Sequence, residues 1–117
     1  MDRVIRVAAG LGGAAGVAAS AAGSHAYAGT SLDTAGKMLL IHAAALIALS
    51  VPAVGSNRIR HIASLVMLIG VALFSGDLTA RAVLGGALFP LAAPLGGLLM
   101  MAGWLIAALA CLGGRRN

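Results

Sequence analysis

Five side chains in this sequence are of types that could do chemistry: His25, His42, Ser75, Asp77 and Arg81. Imidazole titrates near neutral pH and can pass a proton, and ionisable groups inside apolar segments are the usual markers of an ion route. The same residues have a plainer use. Asp77 and Arg81 stand four apart with the acid first, the favourable order for a helical ion pair. A histidine in an apolar helix can hydrogen-bond a neighbouring helix. The plainer use assumes less, so these residues read first as a polar cluster that ties helices together, with ion handling as the rival. His61, beside Arg58 and Arg60, reads as a solvated loop residue.

Other chemistries find less support. His25, His42 and Asp77 could in principle ligate a metal, yet none has a partner at short ligand spacing, and the single Cys111 makes no Cys-pair site. A lone cysteine in an apolar run reads as a small packed side chain. Ser75 lies in Phe-Ser-Gly-Asp rather than in a Gly-x-Ser-x-Gly elbow, and no strand pattern precedes it. Gly96-Gly97 after Pro94 could offer backbone N–H groups to an anion at a helix start, but close helix packing explains them with less. No catalytic set and no cofactor motif emerges, and the expectation is a protein that is not an enzyme.

The residues around these groups set the class. Of 117 residues, 61% are hydrophobic and only 9% charged, with mean hydropathy +1.02. A soluble domain this small needs more charge on its surface. The net charge of +5 is no nucleic-acid signature, because aromatic residues make up 3% of the chain and leave nothing to stack bases on. Instead the cations flank apolar runs. The sequence predicts an all-α integral membrane bundle of four transmembrane helices in a single domain, over about 4–25, 36–54, 61–80 and 94–112, with an apolar Gly/Pro connector at 82–93.

Length makes the third span informative. Ile62–Phe74 would form only about 20 Å of helix against a hydrocarbon core of about 30 Å. The span must therefore carry Ser75, Gly76 and Asp77 to its far end, or break at Ser-Gly. Either way Asp77 sits near the membrane boundary and needs a partner. The second span is predicted to end near Pro52, and Gly55–His61 to be an aqueous loop. The connector, free of charge, is expected in the membrane interface or folded against the protein.

In the first span Ala8, Gly12, Gly16, Ser20 and Ser24 recur every four residues and predict a flat ridge for a neighbouring helix. Gly76, Pro94, Gly96, Gly97, Gly103 and Trp104 are further candidates for helix packing. With four spans, one side holds Arg3, Arg6, Arg58, Arg60, Arg115 and Arg116 and the other Lys37 and Arg81. That bias puts both termini in the cytoplasm. Early arginines, an apolar run and Ala26-Tyr27-Ala28 also fit a secretory signal with a cleavage site. The lipid bilayer is the expected partner, with a second copy or another membrane protein beside it.

An ordered set of short motifs carries a resemblance: Gly23-Ser24-His25, His42 in an apolar helix, Leu73-Phe74-Ser75-Gly76-x-Leu78, Pro94-x-Gly96-Gly97 and Ala102-Gly103-Trp104. Over about Ala19 to Leu112 the chain resembles small bacterial inner-membrane proteins known as domain of unknown function 423, or YgdD-like proteins, similar to eukaryotic transmembrane protein 256. The resemblance implies four transmembrane helices with the first retained, and implies no activity. Here Met38-Leu39-Leu40-Ile41 replaces the aromatic and glutamine positions common before the second histidine. Asp77 stands where serine is frequent and Thr79 where tyrosine is. A role for Asp77 is thus this chain's own. The expected function is that of a non-catalytic scaffold or accessory subunit in the bacterial inner membrane, and the alternative is a small oligomeric transporter or channel with the His/Asp cluster in its outer half.

Overall fold

The four apolar runs form four helices, α1 (Asp2–Ser24), α2 (Leu32–Leu49), α3 (Asn57–Val83) and α4 (Ala92–Leu112), in a computed structural model that describes residues 1–52 and 55–112. Each is long and apolar enough to cross a membrane, and the described residues contain no strand.

Local chemistry moves several ends from their expected places. α2 starts four residues early because the Thr30 hydroxyl accepts the Leu32 N–H, and Asp33 pairs with Lys37 across the first turns at 2.9 Å. It stops at Leu49, where Ser50 is the C-cap. Pro52 therefore lies beyond the helix rather than in its last turn, and the expected end at Val54 falls outside the described residues. α3 begins at Asn57 because the Ser56 hydroxyl accepts the Ile59 N–H at 3.2 Å, an N-cap. The expected aqueous loop is thus mostly the first turn of a helix. α3 passes through Ser75-Gly76 unbroken. It closes on Gly85, whose φ of +82° is the left-handed geometry that ends helices on glycine. α4 starts two residues before Pro94. The expected stop at Gly113–Asn117 lies outside the described residues.

Residue pairs across each seam run in opposite directions, so consecutive helices are antiparallel. Ala43 lies opposite Gly13 and Asp33 opposite Gly23. Ser75 bonds the Ala35 carbonyl while Arg60 bonds that of Leu49. Met67 faces Gly103 and Phe74 faces Gly96. The molecule is two hairpins, α1–α2 and α3–α4, joined along α2 and α3 in a body of 48 × 26 × 18 Å. Ile5, Ala9, Leu46 and Met67 form the buried centre where three helices converge.

Glycine sets how close the seams come. A Cβ on Gly96 would lie 2.5 Å from the Phe74 nitrogen, and one on Gly70 would lie 2.6 Å from the Met100 nitrogen. A Cβ on Gly16 would lie 3.0 Å from the Gly36 carbonyl. The ridge expected on α1 needs correction. A Cβ on Gly12 would meet nothing within 4 Å, and the face against α2 runs through Ala9, Gly13, Gly16, Ser20 and Gly23. Each four-residue step turns about 40° around the helix, so a strict row of five drifts off its partner. Alternating steps of three and four stay on it. A Cβ on Gly97 would lie 3.9 Å from Phe74 and one on Gly76 3.4 Å from Leu88, only ordinary contact, and Pro94 is exposed.

Candidate functional site

The polar side chains sort into three levels along the bundle. At the α2 start, Ser31 donates to the Leu78 carbonyl at 2.7 Å and Ser75 donates to the Ala35 carbonyl at 3.0 Å. Both bonds lock α2 to α3. Beside them Asp77 is fully buried. Its Oδ2 accepts from Arg81 Nε at 2.9 Å, one turn on. Its Oδ1 accepts the Leu88 N–H at 2.8 Å. The carboxylate thus holds down the connector, where Leu84, Leu88, Phe89 and Leu91 face outward. Asp77 lies about 26 Å along α3 from Arg60, so the two buried charges sit near opposite ends of the candidate span.

The middle level is His42. It is 4% exposed, and both ring nitrogens are engaged. Trp104 Nε1 is a donor only, so its 3.1 Å contact makes His42 Nε2 the acceptor. The proton therefore sits on Nδ1, which donates to the Met38 carbonyl at 2.8 Å. The ring centroids are 5.8 Å apart in an edge-on arrangement. Trp104 anchors α4 to α2 through this bond rather than by burial, since it is 47% exposed.

The third level joins the other ends of α1, α2 and α3. Arg60 is 6% exposed. Its Nη1 donates to Asp2 Oδ1 at 2.7 Å and to the Leu49 carbonyl, and its Nη2 reaches Asp2 Oδ2 at 3.3 Å. His61 is not a loop residue; it lies on α3 with Nε2 at 2.9 Å from Asp2 Oδ1. Arg6 Nε donates to the Ser50 hydroxyl at 3.2 Å.

The five expected site residues do not converge. Asp77 and Arg81 are bonded to each other and Ser75 lies one half-turn away, but His42 is elsewhere. The Ser75–Ala35 bond sets the level of the two helices, and seven further residues along α2 place His42 about 13 Å deeper than Asp77. His25 is exposed at the end of α1. Among the described residues no three His, Cys, Asp or Glu side chains are placed to hold a metal. Cys111, expected to be packed, is exposed. Sequence reasoning missed Gly36, Gly70 and the Asp2–Arg60–His61 network. The last was findable, because the charge bias puts Asp2 and the start of the third span at the same end.

No curated protein and no solved structure matches this chain. The sequence profile of one family does, described as protein of unknown function (DUF423), over residues 13–97. That stretch runs from the middle of α1 to the first turns of α4 and contains His25, His42, Ser75, Asp77 and Arg81. On that match, the chain belongs to the DUF423 family.

Proposed function

We propose that this chain is a non-catalytic multi-pass protein of a bacterial inner membrane, with both termini in the cytoplasm, that serves as a scaffold or accessory subunit. One observation carries the reading. Both nitrogens of His42 and both oxygens of Asp77 are occupied by neighbours within the fold. A proton or ion route needs groups whose lone pairs are free to exchange partners along a path. Here they are spent on holding α2 to α4 and the connector to α3. The orientation rests on the cations at the Arg3, Arg6, Arg58 and Arg60 end.

The test is purification at native expression level in mild detergent, with cross-linking and intact mass spectrometry. A stoichiometric foreign subunit supports the proposal and identifies the assembly. A homo-oligomer alone, whose proton or ion flux in vesicles is abolished by Asp77→Asn and by His42→Ala, replaces it with transport.

A further inference from the structure

Two surface concavities differ in chemistry. One, of about 420 Å³ between α2, α3 and α4, is walled by apolar side chains including Ile41, Leu49, Met67 and Trp104, which any acyl chain would satisfy. The other, of about 310 Å³, is lined by Asp2, Arg3, Arg6 and Val7. We propose that this second concavity binds the phosphate-bearing headgroup of an anionic phospholipid, held by the guanidinium groups of Arg3 and Arg6.

The charges around it are unequally spent. Asp2 is already matched, since both its oxygens accept from Arg60 and one also from His61. Arg3 has no hydrogen bond or ion pair to any described residue, and Arg6 uses only Nε, on Ser50. Three residues apart, the two side chains share a helix face. The Ser50 bond fixes the Arg6 fork with its Nη groups unengaged, and a guanidinium fork presents paired donors to phosphate oxygens. Basic pockets at the end of a membrane helix bind anionic headgroups, and here two guanidinium groups line one.

A free phosphate offers the same oxygens, and the surface below the arginines favours the lipid. Val7 and Leu11 follow Arg3 at four-residue steps, and both are exposed. Gly10 lies alongside, where a Cβ would meet nothing within 4 Å. A chain hanging from the headgroup thus finds an apolar track down α1. All of these residues precede residue 13, where the family match begins, so the match itself does not extend to the site. The proposal rests on α1 remaining attached and crossing the bilayer.

The experiment uses the full chain, its intact mass verified, in nanodiscs of equal dioleoylphosphatidylcholine and dioleoylphosphatidylglycerol, with retained lipid counted by native mass spectrometry. One phosphatidylglycerol is expected to be retained in preference to phosphatidylcholine. Arg3→Gln with Arg6→Gln should weaken that retention about 25-fold, at about fivefold for the direct guanidinium–phosphate hydrogen bonding of each arginine. Arg58→Gln, an exposed cation at the same end, should leave it unchanged. Retention undiminished in the double variant, or equal loss in Arg58→Gln, overturns the site. Displacement of the lipid by millimolar inorganic phosphate reassigns it to a free anion and overturns the lipid. A mass lacking α1 overturns this proposal and the four-span reading together, and is seen before any lipid is counted.

Discussion

At the scale of residues, the fold pairs most of its buried polar side-chain atoms, and among the described residues Ser20 Oγ and Arg60 Nε are the ones left over. Trp104→Phe keeps an aromatic ring, though a smaller one, and leaves His42 Nε2 without its donor. It should cost about 0.6 to 1.7 kcal/mol, the span of interhelical hydrogen bonds in membranes, read from unfolding in mixed detergent. Phenylalanine matching tryptophan within error would show that the bond contributes nothing. Asp77→Asn keeps an acceptor for the Leu88 N–H while losing the charge opposite Arg81, whereas Asp77→Ala loses both. Limited proteolysis of residues 84–91 should therefore rise modestly in the first variant and sharply in the second. Equal cutting in all three proteins would mean that the connector is held by something else. The sequence made the Asp77–Arg81 pair legible, since a helix places residues four apart on one face. It could not make the Asp77–Leu88 contact legible, because that depends on how an irregular connector folds back.

At the scale of elements, four apolar runs announced four helices, and their interiors were secure from composition alone. Their ends were not, because single hydroxyls at Thr30 and Ser56 decide them and many serines and threonines compete for that role. Glycine patterns were half legible. Gly16, Gly96 and Gly103 do lie in seams, but a helix with this much glycine offers several stripes, and only the partner's position selects one. Gly96→Ala should destabilise the α3–α4 hairpin by about 1–3 kcal/mol, the usual penalty of overpacking. Gly12→Ala should be neutral or stabilise by up to about 1 kcal/mol, through reduced freedom of the unfolded backbone. Thermal unfolding of the two variants side by side checks both. A larger loss at Gly12 would restore the evenly spaced ridge.

At the scale of the whole molecule, the two hairpins meet along α2 and α3, and polar bonds sit at both ends and the middle of the assembly. With four spans, reporter fusions at either terminus should be active only in the cytoplasm. A terminus reporting from the opposite side would contradict the proposed orientation. The ion pair between Asp2 and Arg60 adds a condition on time. Its partners are 58 residues apart in the chain, and synthesis proceeds at about 5–20 residues per second. The acid at the start of α1 therefore waits roughly 3–12 s on the ribosome for the arginine that neutralises it. Until then the first hairpin can form its glycine seam and the Arg6–Ser50 bond, but Asp2 lacks the Arg60 side chain that pairs with it. Maturation should follow synthesis order, with α1 settling last at its beginning, and cross-links from residue 2 to residue 60 in arrested nascent chains should date that step.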